Sequence, residues 1–155
     1  MNGLQGNLNK YDAYLLLNGI QKVGPVSATR LLGRFGNNPI NIFKSTRKEL
    51  QSIRGIGEVA INSLMNSQNI SWLEKEKQKI KKHGTSFITR EKIPLALQQI
   101  FDSPVGLYLS GEIPQDPYVG IVGTRIPSLY GRRTCREIAR ELAKRGFCIV
   151  SGMAR

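Results

Sequence analysis

The stretch Tyr118-Val119-Gly120-Ile121-Val122-Gly123-Thr124-Arg125, followed by Ser128-Leu129-Tyr130-Gly131, a basic run, and Phe147-Cys148-Ile149-Val150-Ser151-Gly152-Met153-Ala154-Arg155, decides how this chain is read. Two short apolar runs flank one helical pattern. Cys135, Ile138, Ala139 and Leu142 recur at i, i+3, i+4 and i+7 and make one apolar stripe. Arg133, Arg136 and Arg140 fall on a neighbouring flank, with Arg132 at its edge and Glu137 and Glu141 further round. Ser128 suits the N-cap, where a hydroxyl can accept an orphan backbone N–H. Gly146 suits the carboxyl end, after Lys144 and Arg145, whose charge complements the helix dipole. Strand, helix and strand in this order predict a right-handed parallel crossover.

In open α/β sheets, ligands sit beyond the carboxyl ends of the strands. That edge would carry Gly123, Thr124 and Arg125 from one strand and Ser151 and Gly152 from the other. Glycine lets a backbone approach an anion closely. Thr124 and Ser151 add hydroxyl donors, and Arg125 can present a two-pronged guanidinium to a phosphate. The amino end of the following helix, at Ser128, adds partial positive charge. The pattern therefore reads as a phosphate site, against the plainer reading that both glycines only turn the chain. Neither G-x-G-x-x-G nor G-x-x-x-x-G-K-[ST] is present, so neither a dinucleotide cofactor nor a P-loop nucleotide is indicated.

The run Ile121-Val122-Gly123-Thr124-Arg125, Ser128-x-Tyr130-Gly131, Leu142-Ala143-x-x-Gly146 and Val150-Ser151-Gly152-x-Ala154-Arg155 resembles the DNA-processing protein A family, DprA, also called Smf. The resemblance implies an extended Rossmann-like domain that binds single-stranded DNA, without catalysis. It also implies loading of RecA recombinase in natural transformation and DNA uptake (competence), in the cytoplasm. It places Gly123, Thr124, Arg125, Ser151, Gly152 and Arg155 in the DNA-phosphate pocket. Members homodimerise, and the remaining strands and the dimer surface would lie beyond Arg155. Residues 94–111 resemble the family's lead-in, with Ile93 where tyrosine is usual. A second Rossmann-like group, the lysine-decarboxylase-like phosphoribohydrolases, also carries two Gly-rich turns around a helix. Its second turn tends to be Gly-Gly-Gly, where this chain has Ser151-Gly152-Met153.

The 155 residues carry a formal net charge of +12, which predicts a polyanionic partner. No apolar run approaches the roughly 18 residues of a spanning helix, so no membrane role is expected. The polar start, Met1 to Lys10, does not read as a secretory signal. Cys135 and Cys148 read as small core residues in a reducing cytosol. With His83 as the sole histidine, neither a metal site nor a Ser-His-Asp or Cys-His catalytic set is indicated. No cofactor is expected.

The organisation expected is mixed α+β: a polar tail over 1–10, a helical domain over 11–67, a linking helix over 68–83 and an incomplete Rossmann-like domain over 84–155. The helical domain holds two similar turns, Val23-Gly24-Pro25-Val26-Ser27-Ala28 and Ile53-Arg54-Gly55-Ile56-Gly57-Glu58. They resemble a tandem helix-hairpin-helix, whose hairpin N–H groups contact DNA phosphates without reading sequence. Lys22, Gly24, Arg30, Arg54, Gly55 and Gly57 are the candidate contacts, and duplex or junction binding through them alone is an alternative function. Lys22 replaces a usual glycine, and Ile61 a usual small residue. Thr46-x-x-Glu49 and Ser71-x-x-Glu74 both read as capping boxes. Glu74 with Lys77 and Glu76 with Lys79 should pair along the linking helix. The lysine run from Lys75 to Lys82 reads as a solvated face. Gly84 to Ile88 and Leu107 to Leu109 read as short strands.

Overall fold

A helix with several successive buried residues has to be enclosed on most sides by its neighbours, and the first helix is of that kind. Asp12, Ala13, Tyr14, Leu15, Leu16 and Leu17 are successive and all buried in α1 (Lys10–Gly19). The structure, a computed structural model, describes residues 8–114 and 117–152. After α1 come α2 (Pro25–Arg34), α3 (Pro39–Lys44), α4 (Arg47–Gln51), α5 (Glu58–Leu64), α6 (Asn69–Lys82), β1 (Ser86–Thr89), α7 (Leu95–Gln98), β2 (Gly106–Leu109), β3 (Tyr118–Gly120), α8 (Leu129–Lys144) and β4 (Cys148–Val150). The chain is thus mixed helix and sheet. It forms two compact units, Met1–Gly111 and Glu112–Arg155.

In the first unit α1 is the centre, touching α3, α6, β1 and β2. Its Asn9 cap accepts from the Asp12 N–H. Around it, the segment running through α4 and α5 repeats the one through α1 and α2 at an offset of 33 residues, as Gly24 and Gly57 show. The Val23 and Ile56 N–H groups donate to the Ile20 and Ile53 carbonyls, each at 3.2 Å. Lys22 (φ 63°) and Gly55 (φ 85°) take the left-handed conformation at matching positions. Gly24 and Gly57 are both N-caps in extended backbone. Ala28 and Ile61, one turn on, are both buried. The side-chain volume at Ile61 is absorbed by the core.

Thr46 and Glu49 form the expected capping box at α4. The second expected box is not formed. The sixth helix starts at Asn69 with Gln68 as N-cap, and Ser71 lies inside it. Local polar bonds set that start: Asn66 accepts from the Gln68 N–H, and the Asn69 side chain donates to the Ser63 and Leu64 carbonyls. Glu76 pairs with Lys79 as expected. Lys77 instead reaches Asp12 on α1, at 3.1 Å. A carboxylate largely removed from water gains more from a cation than the exposed Glu74 does.

The first two strands pair antiparallel, with Phe87 opposite Tyr108. Phe87 is buried, edge-on to Tyr11 and Tyr108. Gly106 is required there, because a Cβ would lie 2.3 Å from the Phe87 ring and 2.6 Å from the Ile88 carbonyl oxygen.

In the second unit β3 and β4 pair parallel, Tyr118 with Cys148, Val119 with Ile149 and Gly120 with Val150. The eighth helix joins them and packs on β4. Ser128 caps it, accepting from the Gly131 N–H at 3.1 Å. At the other end Gly146 (φ 84°) follows the last turn, and the Gly146 and Phe147 N–H groups return to the Ala143 and Leu142 carbonyls. This is a Schellman close. No described residue of this unit is buried. Cys135 is exposed and Cys148 half-buried, so the expectation that both are core residues does not hold. The stripe of α8 faces two three-residue strands, too little surface to close over it.

Candidate nucleic-acid interface

The register of β3 against β4 brings the two candidate turns to one end of the sheet. Because the strands are parallel and Gly120 pairs with Val150, the segments leaving their carboxyl ends leave from the same end of the sheet. The Ile121 N–H donates to the Val150 carbonyl at 2.9 Å and carries the pairing one step further. One exit is Val122 to Ser128, containing Gly123, Thr124 and Arg125; the other is Ser151 and Gly152. All five of these named turn residues are exposed, as is Ser128. A Cβ on Gly123 or Gly152 would meet nothing within 4 Å, so packing does not dictate glycine at either place. Thr124 Oγ1 accepts from the Ile126 N–H at 3.3 Å and stiffens its own turn. Its hydroxyl proton stays available to an outside acceptor.

Helix α8 opens directly after this turn. Ser128 Oγ takes the Gly131 N–H, which leaves the first amides, those of Leu129 and Tyr130, without an intrahelical acceptor. Arg125 is exposed and makes no side-chain hydrogen bond or ion pair among the described residues. Arg155 lies outside the described residues. The arrangement offers amides, the Thr124 hydroxyl and a guanidinium at one sheet end, a donor set that suits an anion.

By sequence, the arginines of α8 are only a flank beside its apolar stripe. In the structure Leu129, Arg132, Arg133, Arg136, Glu137 and Arg140 line an open concavity of about 320 Å³. Arg133 is engaged with Glu137 at 2.9 Å. The sequence signal was the i, i+4 spacing of arginines; which of them are neutralised was visible only in the fold.

The hairpin candidates sit together within the first unit. Lys22, Gly24, Arg30, Arg54, Gly55 and Gly57 are all exposed. Arg30 Nη1 donates to the Arg54 carbonyl at 3.2 Å, so its guanidinium braces the second turn. The Glu58 carboxylate opens α5, bonded to Gln51 and Arg47. The Gln51 hydrogen bond, with Arg47 beside it, holds Glu58 below the usual carboxylate range. A standing negative charge at that helix start disfavours a second anion there. The α2 start has no acidic residue.

Among the described residues, no group of three or more His, Cys, Asp or Glu could hold a metal ion. No described helix is long and apolar enough to cross a membrane.

Comparison with known proteins bears on this geometry. Residues 84–155 match the family of DNA recombination-mediator protein A. Protein Smf of Synechocystis sp. is 34% identical over 159 residues, covering 94% of this chain and 39% of the relative. The chain belongs to the DprA/Smf family. DNA processing protein DprA of Bacillus subtilis is 34% identical over 70 residues, 43% of this chain and 24% of that protein. The match to the family is partial: the chain spans well under half the length of either relative. The residues matched to the DprA/Smf family include β1, α7 and β2 of the first unit as well as the whole second unit. No solved structure matches the chain.

Proposed function

We propose that the two turns at the carboxyl ends of β3 and β4 cradle the sugar-phosphate backbone of single-stranded DNA. The chain then serves recombination as a non-catalytic binder, in a Rossmann-like arrangement. Gly123, Thr124, Arg125, Ser128, Ser151, Gly152 and Arg155 are the contacts. The supporting observation is the Gly120–Val150 register, from which both exposed turns depart at one sheet end. Family membership supports a recombination-mediator role. By the same likeness the proposed partners are RecA recombinase, to which the strand is handed, and a second copy of the complete protein.

Arg125 is the residue to test. A hydrogen bond to a charged group is worth about 1.5–3 kcal/mol, roughly ten- to a hundredfold in affinity. Fluorescence anisotropy with a labelled oligothymidylate at fixed salt should show a loss of that size for Arg125→Ala. Single substitutions of Lys75, Lys81 or Lys82 on α6 should cost far less. Equal losses would reduce the effect to net charge and remove the cradle.

A second reading has its own support. The matched turns before α2 and α5 form a tandem helix-hairpin-helix that grips duplex or junction phosphates. Both N-cap glycines, Gly24 and Gly57, lack a side chain to cap the helix and face open space. Glu58 at the second turn counts against it, so the first turn, at Lys22 and Gly24, would carry most of the binding. Lys22→Glu should then abolish duplex binding and leave single-strand binding unchanged.

A further inference from the structure

The arginines of α8 remain unexplained by the cradle. Arg132, Arg136 and Arg140 follow at i, i+4 and i+8, so their anchors rise about 6 Å apart along the helix. On a helical projection the centre of this row lies about 110° round the axis from the centre of the Cys135–Leu142 stripe, with Arg132 nearest the stripe and Arg140 farthest, so packing that stripe would leave Arg136 and Arg140 in water. The two glutamates of the helix are committed elsewhere: Glu137 to Arg133 and Glu141 to Lys144, each at 2.9 Å. Arg132, Arg136 and Arg140 are exposed and have no side-chain partner among the described residues. A helix surface shaped for solubility alone interleaves both signs, and α6 does so with lysines, pairing Lys77 and Lys79 with carboxylates. The eighth helix instead uses arginine four times in nine residues, from 132 to 140. Arginine presents a planar fork matched to phosphate oxygens, whereas lysine is a strongly hydrated point charge. The row also begins at the amino end of α8, directly after the Thr124–Arg125 turn, and runs away from it.

We propose that Arg132, Arg136 and Arg140 form a second, tracking segment of the single-strand site. It holds the phosphodiester backbone as it leaves the strand-end turns, one guanidinium to a phosphate. This rests on the cradle reading of those turns. The segment contributes length-dependent affinity and no sequence preference, since it touches only the backbone. A strand too short to reach past Ser128 does not feel it; a longer strand does.

The test uses the full chain and oligothymidylates of increasing length, from a few nucleotides to about 20, with affinity measured across a salt series. For single strands the slope of log K against log salt is about −0.7 per phosphate neutralised, so losing three contacts should flatten it by about 2. The variant Arg132→Ala/Arg136→Ala/Arg140→Ala should bind the shortest oligomer like wild type. On the long oligomer it should lose the flatter slope's worth of affinity, tenfold or more at low salt. Lysine at all three positions should restore most of the slope and only part of the affinity. Removing three charges from α6, as Lys75→Ala/Lys81→Ala/Lys82→Ala, should leave the slope within about 0.5 of wild type. An unchanged slope in the arginine variant, with wild type still binding and Arg125→Ala still weakened, overturns the tracking segment and leaves the cradle standing. Wild type that binds no oligomer overturns both. Because α8 is also a basic amphipathic helix, phosphatidylglycerol vesicles are the comparison. Vesicle binding lost in the triple-alanine variant, beside an unaltered oligonucleotide slope, would assign the row to a membrane surface and overturn the proposal.

Discussion

The two units use the same kind of sequence and reach opposite results. In Met1–Gly111 every helix except α7 buries side chains, and all the buried apolar side chains of the described residues lie there, Ala13 being the first and Val105 the last. In Glu112–Arg155 the local signals are as good or better. Its eighth helix is capped at both ends, and its apolar stripe keeps strict spacing. Yet Ile138 is 51% exposed, and Val122, Ile126, Leu129 and Tyr130 are exposed by 78% or more. Periodicity states which face can be buried. Burial itself needs opposing surface, which α1 receives from α3, α6, β1 and β2, and α8 receives from β4.

The sharpest way to break that contrast is a pair of truncations. Leu16 is 1% exposed at the centre of the first unit. Leu16→Ala should cost about 3 kcal/mol, the usual toll of a buried leucine cavity. Ile138→Ala on α8 should cost under about 0.5 kcal/mol, as exposed substitutions do. Urea unfolding followed by the single tryptophan, Trp72, reads the first unit alone; circular dichroism adds α8. Equal losses for the two variants would mean that the stripe of α8 is covered in solution.

Next in size are the two left-handed turns, which test whether the repeat within the first unit is energetically even. At Gly55 (φ 85°) an added Cβ would lie 2.1 Å from Arg30 Nη1 and displace the guanidinium from the Arg54 carbonyl. A left-handed L-residue costs roughly 1–2 kcal/mol, partly returned by a stiffer unfolded chain, so Gly55→Ala should lose about 1 kcal/mol. Lys22 already bears that strain at φ 63°. Lys22→Gly should therefore gain about 0.5 kcal/mol. A loss at Lys22 would show that its side chain holds the turn in some other way.

What could be read from the sequence was whatever neighbours in the chain decide. The Thr46–Glu49 box, the Ser128 cap, Pro25 in the first turn of α2 and the Gly146 close are all settled within five residues. The parallel pairing of β3 and β4 followed from strand, helix and strand in that order, and it fixed the sheet end at which Gly123–Arg125 and Ser151–Gly152 emerge. Contacts distant in sequence were not legible. Lys77 ignores Glu74 three residues away for Asp12, 65 residues away. The start of α6 moved to Asn69 because Asn66 and Asn69 bond across the end of α5. Helix α3 went unread, since its signals, Asn38 and Pro39, also suit a turn. Cys135 fits its stripe and is exposed all the same. The arginine row was legible as spacing; its lack of acidic partners depended on which lysines and arginines claim Glu137 and Glu141.

The remaining effect concerns how firmly the antiparallel pair of β1 and β2 is held to α6. The Tyr108 hydroxyl donates to Glu76 Oε1 at 2.9 Å. Burial, and then the bond to Glu76, push its pKa up to about 12 from the ordinary 10.0. The sign follows from which form is held: the folded protein keeps the neutral phenol, and the unfolded chain releases the proton earlier. The stabilisation is therefore complete below pH 10 and is lost as the pH rises from about 10 toward about 12. Phenolate absorbance should show Tyr108 ionising late, alongside Tyr14, which burial also raises, and Tyr108→Phe should remove only the Tyr108 share of the late titration. Tyr108→Phe should also flatten the fall in stability across the same window, while leaving stability at neutral pH lower by about 1 kcal/mol, the worth of one hydrogen bond. If the late titration is undiminished in Tyr108→Phe, the β1–β2 pair is not tied to α6 through Glu76.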